Sequence, residues 1–68
     1  MQAETPRLLR LPQVLALTGL SRDTVYRLGR AGRFPQLLKV SKRASRWRED
    51  EIRVWLEQRS AERTQAMT

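Results

Sequence analysis

Thr18-Gly19-Leu20-Ser21-Arg22-Asp23-Thr24-Val25-Tyr26-Arg27-Leu28 is the stretch on which the fold turns. Gly19 is a helix stop, because a left-handed residue there costs glycine nothing. Ser21 can cap a new helix: its hydroxyl accepts a first-turn backbone N–H, and Asp23 suits the positive end of the dipole. Upstream, Pro12 sits at the expected first position of a helix, with Val14, Leu17 and Thr18 at helical spacing behind it. The second helix is expected from Arg22 to Ala31, with Gly32 as its terminator. Leu20, a lone apolar residue in the turn, is expected to plug the gap between the two helices. Two helices joined by a three-residue turn containing glycine predict a helix-turn-helix. On the second helix Val25 and Leu28 share one face, while Asp23, Tyr26, Arg27 and Arg30 lie opposite. Gly29 inside it costs about 1 kcal/mol relative to alanine and is expected to allow close packing. The outward face is what the major groove accepts, where arginine pairs with guanine O6 and N7.

Beyond the second helix the period changes. Phe34-Pro35 breaks the helical pattern, and Phe34 is expected to close the core there. Leu38 and Val40 alternate with Lys39, which reads as a half-buried strand. Ser41-Lys42-Arg43-Ala44-Ser45 is small, polar and basic, a loop, and Arg46-Trp47-Arg48 alternates again with Trp47 inward. Strand, basic loop and strand make a hairpin, or wing. Lys42 and Arg43 at its tip, with Ser45 and Arg46 behind them, would neutralise phosphates without reading sequence. The competing reading is a solvent-exposed hairpin whose basic tip deters edge-to-edge pairing.

A third helix follows, with Ile52, Trp55, Leu56 and Arg59 on one stripe, so Ile52, Trp55 and Leu56 are expected to close the core. Glu49-Asp50-Glu51 opens it, where the dipole welcomes negative charge. Consecutive acids on a helix diverge, so they are not expected to bind a metal, which needs converging oxygens. Ser60 to Thr68 lacks apolar periodicity and is expected to fray, as is the polar tail from Met1 to Pro6.

Composition narrows the function. The 68 residues carry 14 Lys+Arg against 7 Asp+Glu, a net of +7, with no His and no Cys. Without either residue there is no thiolate chemistry, no imidazole base and no expected metal or cofactor site. Val14-Leu15-Ala16-Leu17, the longest apolar run, is far too short for a membrane span. The expectation is a cytoplasmic binding protein and not an enzyme. Residues 22–48 hold nine basic residues against Asp23 alone, a net of +8, while residues 49–68 sum to −2. Twelve of the fourteen cations are arginine, whose planar fork suits phosphate oxygens and guanine edges. Charge so concentrated predicts a polyanion partner rather than a cationic surface kept for solubility.

Taken together, Thr18-Gly19-Leu20-Ser21-Arg22, Thr24-Val25-Tyr26-Arg27-Leu28, Gly32-Arg33-Phe34-Pro35, Trp47-Arg48, Glu51-Ile52 and Trp55-Leu56 resemble the AlpA family of prophage regulatory proteins. The resemblance spans residues 7–59. It departs from the family at Ser41-Lys42, where glycine is common. It implies a winged helix-turn-helix of the MerR-like and excisionase-like kind, mainly α with a small β-hairpin, three helices plus a wing. It also implies action near promoters or attachment sites of integrated elements. Carried over by position, Arg22, Thr24, Tyr26 and Arg27 fall on the recognition helix, and Lys42 and Arg43 on the wing. The full expectation is a sequence-specific double-stranded-DNA-binding transcriptional regulator of bacteria. Its contacts would come from Ser21, Arg22, Asp23, Thr24, Tyr26, Arg27 and Arg30, with Lys42, Arg43, Ser45 and Arg46 on phosphates. No small-molecule ligand is expected; self-association on repeated DNA sites is. Two other readings stand beside it: an architectural protein assisting an integrase, and an interaction adaptor using Val54 and the acidic face of the third helix.

Overall fold

A computed structural model describes residues 7–66, so the tail from Met1 to Pro6 lies outside the described residues. The chain runs β1 (Leu8–Leu9), α1 (Leu11–Thr18), α2 (Arg22–Arg30), β2 (Leu38–Ser41), β3 (Ala44–Arg48) and α3 (Glu49–Ala66). It is a winged helix-turn-helix, mainly helical, with an antiparallel sheet ordered β1-β3-β2.

Helix α1 begins one residue before Pro12, which therefore takes its second position. Arg10 is extended, and its N–H donates to Gln13 Oε1 at 2.8 Å, fixing the entry. Gly19, at φ 75°, ends α1 by donating its N–H to the Leu15 carbonyl at 2.8 Å. Ser21 Oγ then accepts the Thr24 N–H at 3.2 Å and starts α2. Removing that cap by Ser21→Ala is expected to cost about 1 kcal/mol, read from the urea midpoint at unchanged m-value. Helix α2 closes on Gly32 at φ 74°, where Gly32 N–H meets Gly29 O at 3.1 Å and Arg33 N–H meets Leu28 O at 2.8 Å. These paired bonds form a Schellman motif, which satisfies carbonyls the helix cannot.

The core is Leu9, Val14, Val25, Phe34, Trp47 and Ile52, drawn from every regular element except β2. Leu20 packs against it from the turn, as expected. Trp47, on the central strand, is 2% exposed and meets Tyr26 edge-on with ring centroids 6.2 Å apart. Trp55 and Leu56 are half-buried satellites of this core rather than its centre. The Trp55 ring lies 4.8 Å from that of Phe34 and its Nε1–H donates to the Arg33 carbonyl at 2.8 Å.

Three further expectations are corrected. Leu38 and Val40 are 41% and 51% exposed, because β2 is an edge strand paired only with β3 and all four of its residues face solvent. Ser41 and Ala44 pair across the hairpin, so the loop shrinks to Lys42-Arg43. Finally, α3 continues to Ala66, past the end of its apolar stripe. A surface helix can extend on side-chain pairs alone, and here Arg59 pairs with Glu62 at 2.6 Å while stacking on Trp55 at 5.3 Å.

Candidate nucleic-acid interface

Helix α2 exposes Arg22, Asp23, Arg27 and Arg30. The Ser21 and Thr24 hydroxyls bond each other at 2.9 Å, so both are engaged in capping the helix. Tyr26 departs from the expected outward placement. It is half-buried, since the path of β3 brings Trp47 against its ring. It serves the packing of α2 on the sheet and offers only its exposed part to a partner.

On the wing, Lys42 and Arg43 occupy the two turn positions and are exposed. No residue here has positive φ, so the turn is neither type I′ nor II′, the two whose twist matches a hairpin. The ladder instead slips by one residue at Val40, between the Lys39–Ser45 and Ser41–Ala44 pairs. A bulge of this kind absorbs the mismatch and turns the strand. Absence of glycine at Ser41-Lys42 thus has a structural consequence, a bulged wing. Ser45 and Arg46 stand behind the tip on β3, half-buried, with Arg46 Nη1 donating to the Ser45 carbonyl at 2.9 Å. Lys39 was not among the expected contact residues, yet it is exposed and reaches the Lys42 carbonyl with its Nζ at 3.4 Å. The signal that could have found it is register: it pairs with Ser45, one step from the tip.

The charges are segregated. Every ion pair among the described residues involves α3 or its first turn: Arg53 and Arg7 with Glu49 at 2.7 and 3.8 Å, Arg48 with Asp50 at 2.7 Å, and Arg59 with Glu62. The bidentate Arg48–Asp50 hydrogen bonds hold the Asp50 carboxyl below its usual range and push Arg48 up. Eight cations between residues 22 and 48 have no acidic partner among the described residues: Arg22, Arg27, Arg30, Arg33, Lys39, Lys42, Arg43 and Arg46. Among the same residues no cluster of His, Cys, Asp or Glu could hold a metal ion, and no helix is long and apolar enough to cross a membrane.

Residues 7–60 match the family described as Prophage CP4-57 regulatory protein (AlpA). The chain belongs to the AlpA family of prophage regulatory proteins. It is also 40% identical over 57 residues to a protein of Enterobacteria phage P4 described as "Uncharacterized protein ORF88". That match covers 84% of this chain and 65% of the phage protein, a little under two thirds of the relative's length. No solved structure matches. The matched residues of this AlpA-family chain run from the start of β1 into α3, and so include both the α2 face and the wing.

Proposed function

We propose that the chain is a sequence-specific duplex-DNA-binding transcriptional regulator, acting in the bacterial cytoplasm at promoters of an integrated phage-like element. Residues 7–59 form its DNA-binding unit. The observation that carries this reading is the set of eight cations without acidic partners on α2, the wing and the segment between them. Cations without acidic partners in such number favour a polyanion, and membership of a family of prophage regulators supports DNA as that polyanion. Arg22, Asp23, Arg27 and the exposed part of Tyr26 read bases from α2. Lys42 and Arg43 hold phosphates from the wing, with Arg46 behind them.

Reading and holding separate by mutation. Arg27→Ala is expected to cost roughly 1–3 kcal/mol on the true site and much less on scrambled duplex. Lys42→Ala combined with Arg43→Ala is expected to weaken both duplexes alike and to reduce the salt slope by about two. Titrations of each variant with both duplexes at several salt concentrations check this. Collapse of specificity in the wing variant, with Arg27→Ala unaffected, would reverse the two roles.

A second reading has its own support. Leu38, Val40 and Val54 are exposed apolar residues, the last at 56%, and exposed apolar side chains suit contacts between copies on adjacent sites. An architectural protein assembling along an attachment site would use them. Bending of the bound duplex without a change in transcription would favour it.

A further inference from the structure

Helix α2 contains a glycine that the fold does not require. Gly29 lies in the last turn of the helix and is not among the residues with positive φ, so no left-handed turn asks for it. Close packing does not ask for it either: a Cβ built at Gly29 meets nothing within 4 Å. This corrects the expectation drawn from sequence, and leaves a glycine within the helix, the weakest helix former after proline, with no side-chain packing to explain it. Glycine in such a place permits close approach of something from outside the chain.

The surroundings say what approaches. Gly29 lines a cleft of about 180 Å³ between α2 and the segment leading to β2, with Tyr26, Pro35, Leu37 and Trp47 among its walls. Arg30 is the one charged residue lining it, and has no acidic partner among the described residues. The Gln36 side chain ties the two walls together, donating to the Gly29 carbonyl at 3.2 Å and to the Phe34 carbonyl at 3.5 Å. Apolar walls beside a single guanidinium match a unit that is itself apolar on one side and anionic on the other.

We propose that this cleft seats one sugar–phosphate unit of duplex DNA, with Arg30 on the phosphate and Gly29 as the point of closest approach. The deoxyribose face rests on Pro35 and Leu37, and the helix backbone at Gly29 lets it come near. The inference rests on the duplex-DNA reading given above. Because the contact is to backbone, it positions the helix on any sequence and does not depend on knowing the operator.

The test uses the full chain and a short mixed-sequence duplex at low salt, with binding followed by fluorescence anisotropy and folding by thermal melting. Gly29→Ala is expected to raise Tm by about 4–8 °C, and yet to weaken binding about tenfold. Gly29→Ser should weaken it further, and Arg30→Gln should lower the salt slope by about one. Greater stability with poorer binding is a combination that a structural role for Gly29 does not give. Unimpaired binding by Gly29→Ala, or a fall in its Tm, overturns the seat while leaving DNA binding in place. A wild-type chain that binds no duplex overturns both.

Discussion

Trp47→Ala is expected to leave the chain unfolded at room temperature. Trp47 lies on the central strand, 2% exposed, in register with Leu9 on β1 and edge-on to Tyr26 of α2. Truncating a buried aromatic costs about 3–5 kcal/mol. A domain of this size has a total of roughly 3–10 kcal/mol to lose, and six buried side chains offer little room to repack around the cavity. The measurement is far-ultraviolet circular dichroism with a thermal melt, in which the cooperative transition should vanish. Trp55→Ala is the control. Its ring is half-buried at the margin and keeps one hydrogen bond, so a folded protein with a lower midpoint is expected. A Trp47→Ala protein that melts cooperatively near the wild-type midpoint would show that the core does not depend on this strand.

The second large effect concerns salt. Affinity for duplex DNA should fall about a thousand-fold between roughly 50 and 200 mM monovalent salt, corresponding to six or so phosphates neutralised and a log–log slope near −5. The basis is arrangement rather than net charge. Cations already paired with acids would displace fewer counterions on binding. Glu49, Asp50 and Glu62, however, pair with Arg7, Arg48, Arg53 and Arg59 and leave the eight cations from Arg22 to Arg46 without acidic partners among the described residues. A titration series at fixed pH gives the slope directly. A flat response would remove the polyanion from the function altogether.

What sequence could reveal followed the range of the interaction involved. Gly19, Ser21 and Gly32 were readable because a left-handed residue and a cap are local matters, settled within a few bonds. Trp47 was readable as inward because strand alternation has only two outcomes, and a tryptophan flanked by arginines leaves little choice between them. Leu38 and Val40 were misplaced by the same argument, since alternation says which residues share a face but not whether anything covers it. Tyr26 sits near the edge of the outward face of its helix, and only the course of β3 decides that it packs on Trp47. The length of α3 escaped for another reason: residues 57–63 are all exposed, and apolar periodicity is silent about a helix carried by surface pairs. Within the candidate interface, the exposure of Arg27, Arg30, Lys42 and Arg43 agrees with what charge and spacing imply. Lys39 needed the register of the hairpin, and the open space at Gly29 needed coordinates.

Strand β2 places no side chain in the core, and the two residues of the tip are free of it as well. Selection for folding therefore places few demands on Leu38 to Arg43, whereas nearly any change at Val14, Val25 or Ile52 is felt throughout the domain. A lineage can rewrite this segment, altering its charge, length or bulge, at little thermodynamic expense. For a member of a prophage regulatory family, that freedom divides a short chain into two parts under different demands. Stability constrains the buried half, while the exposed wing can change without unfolding it.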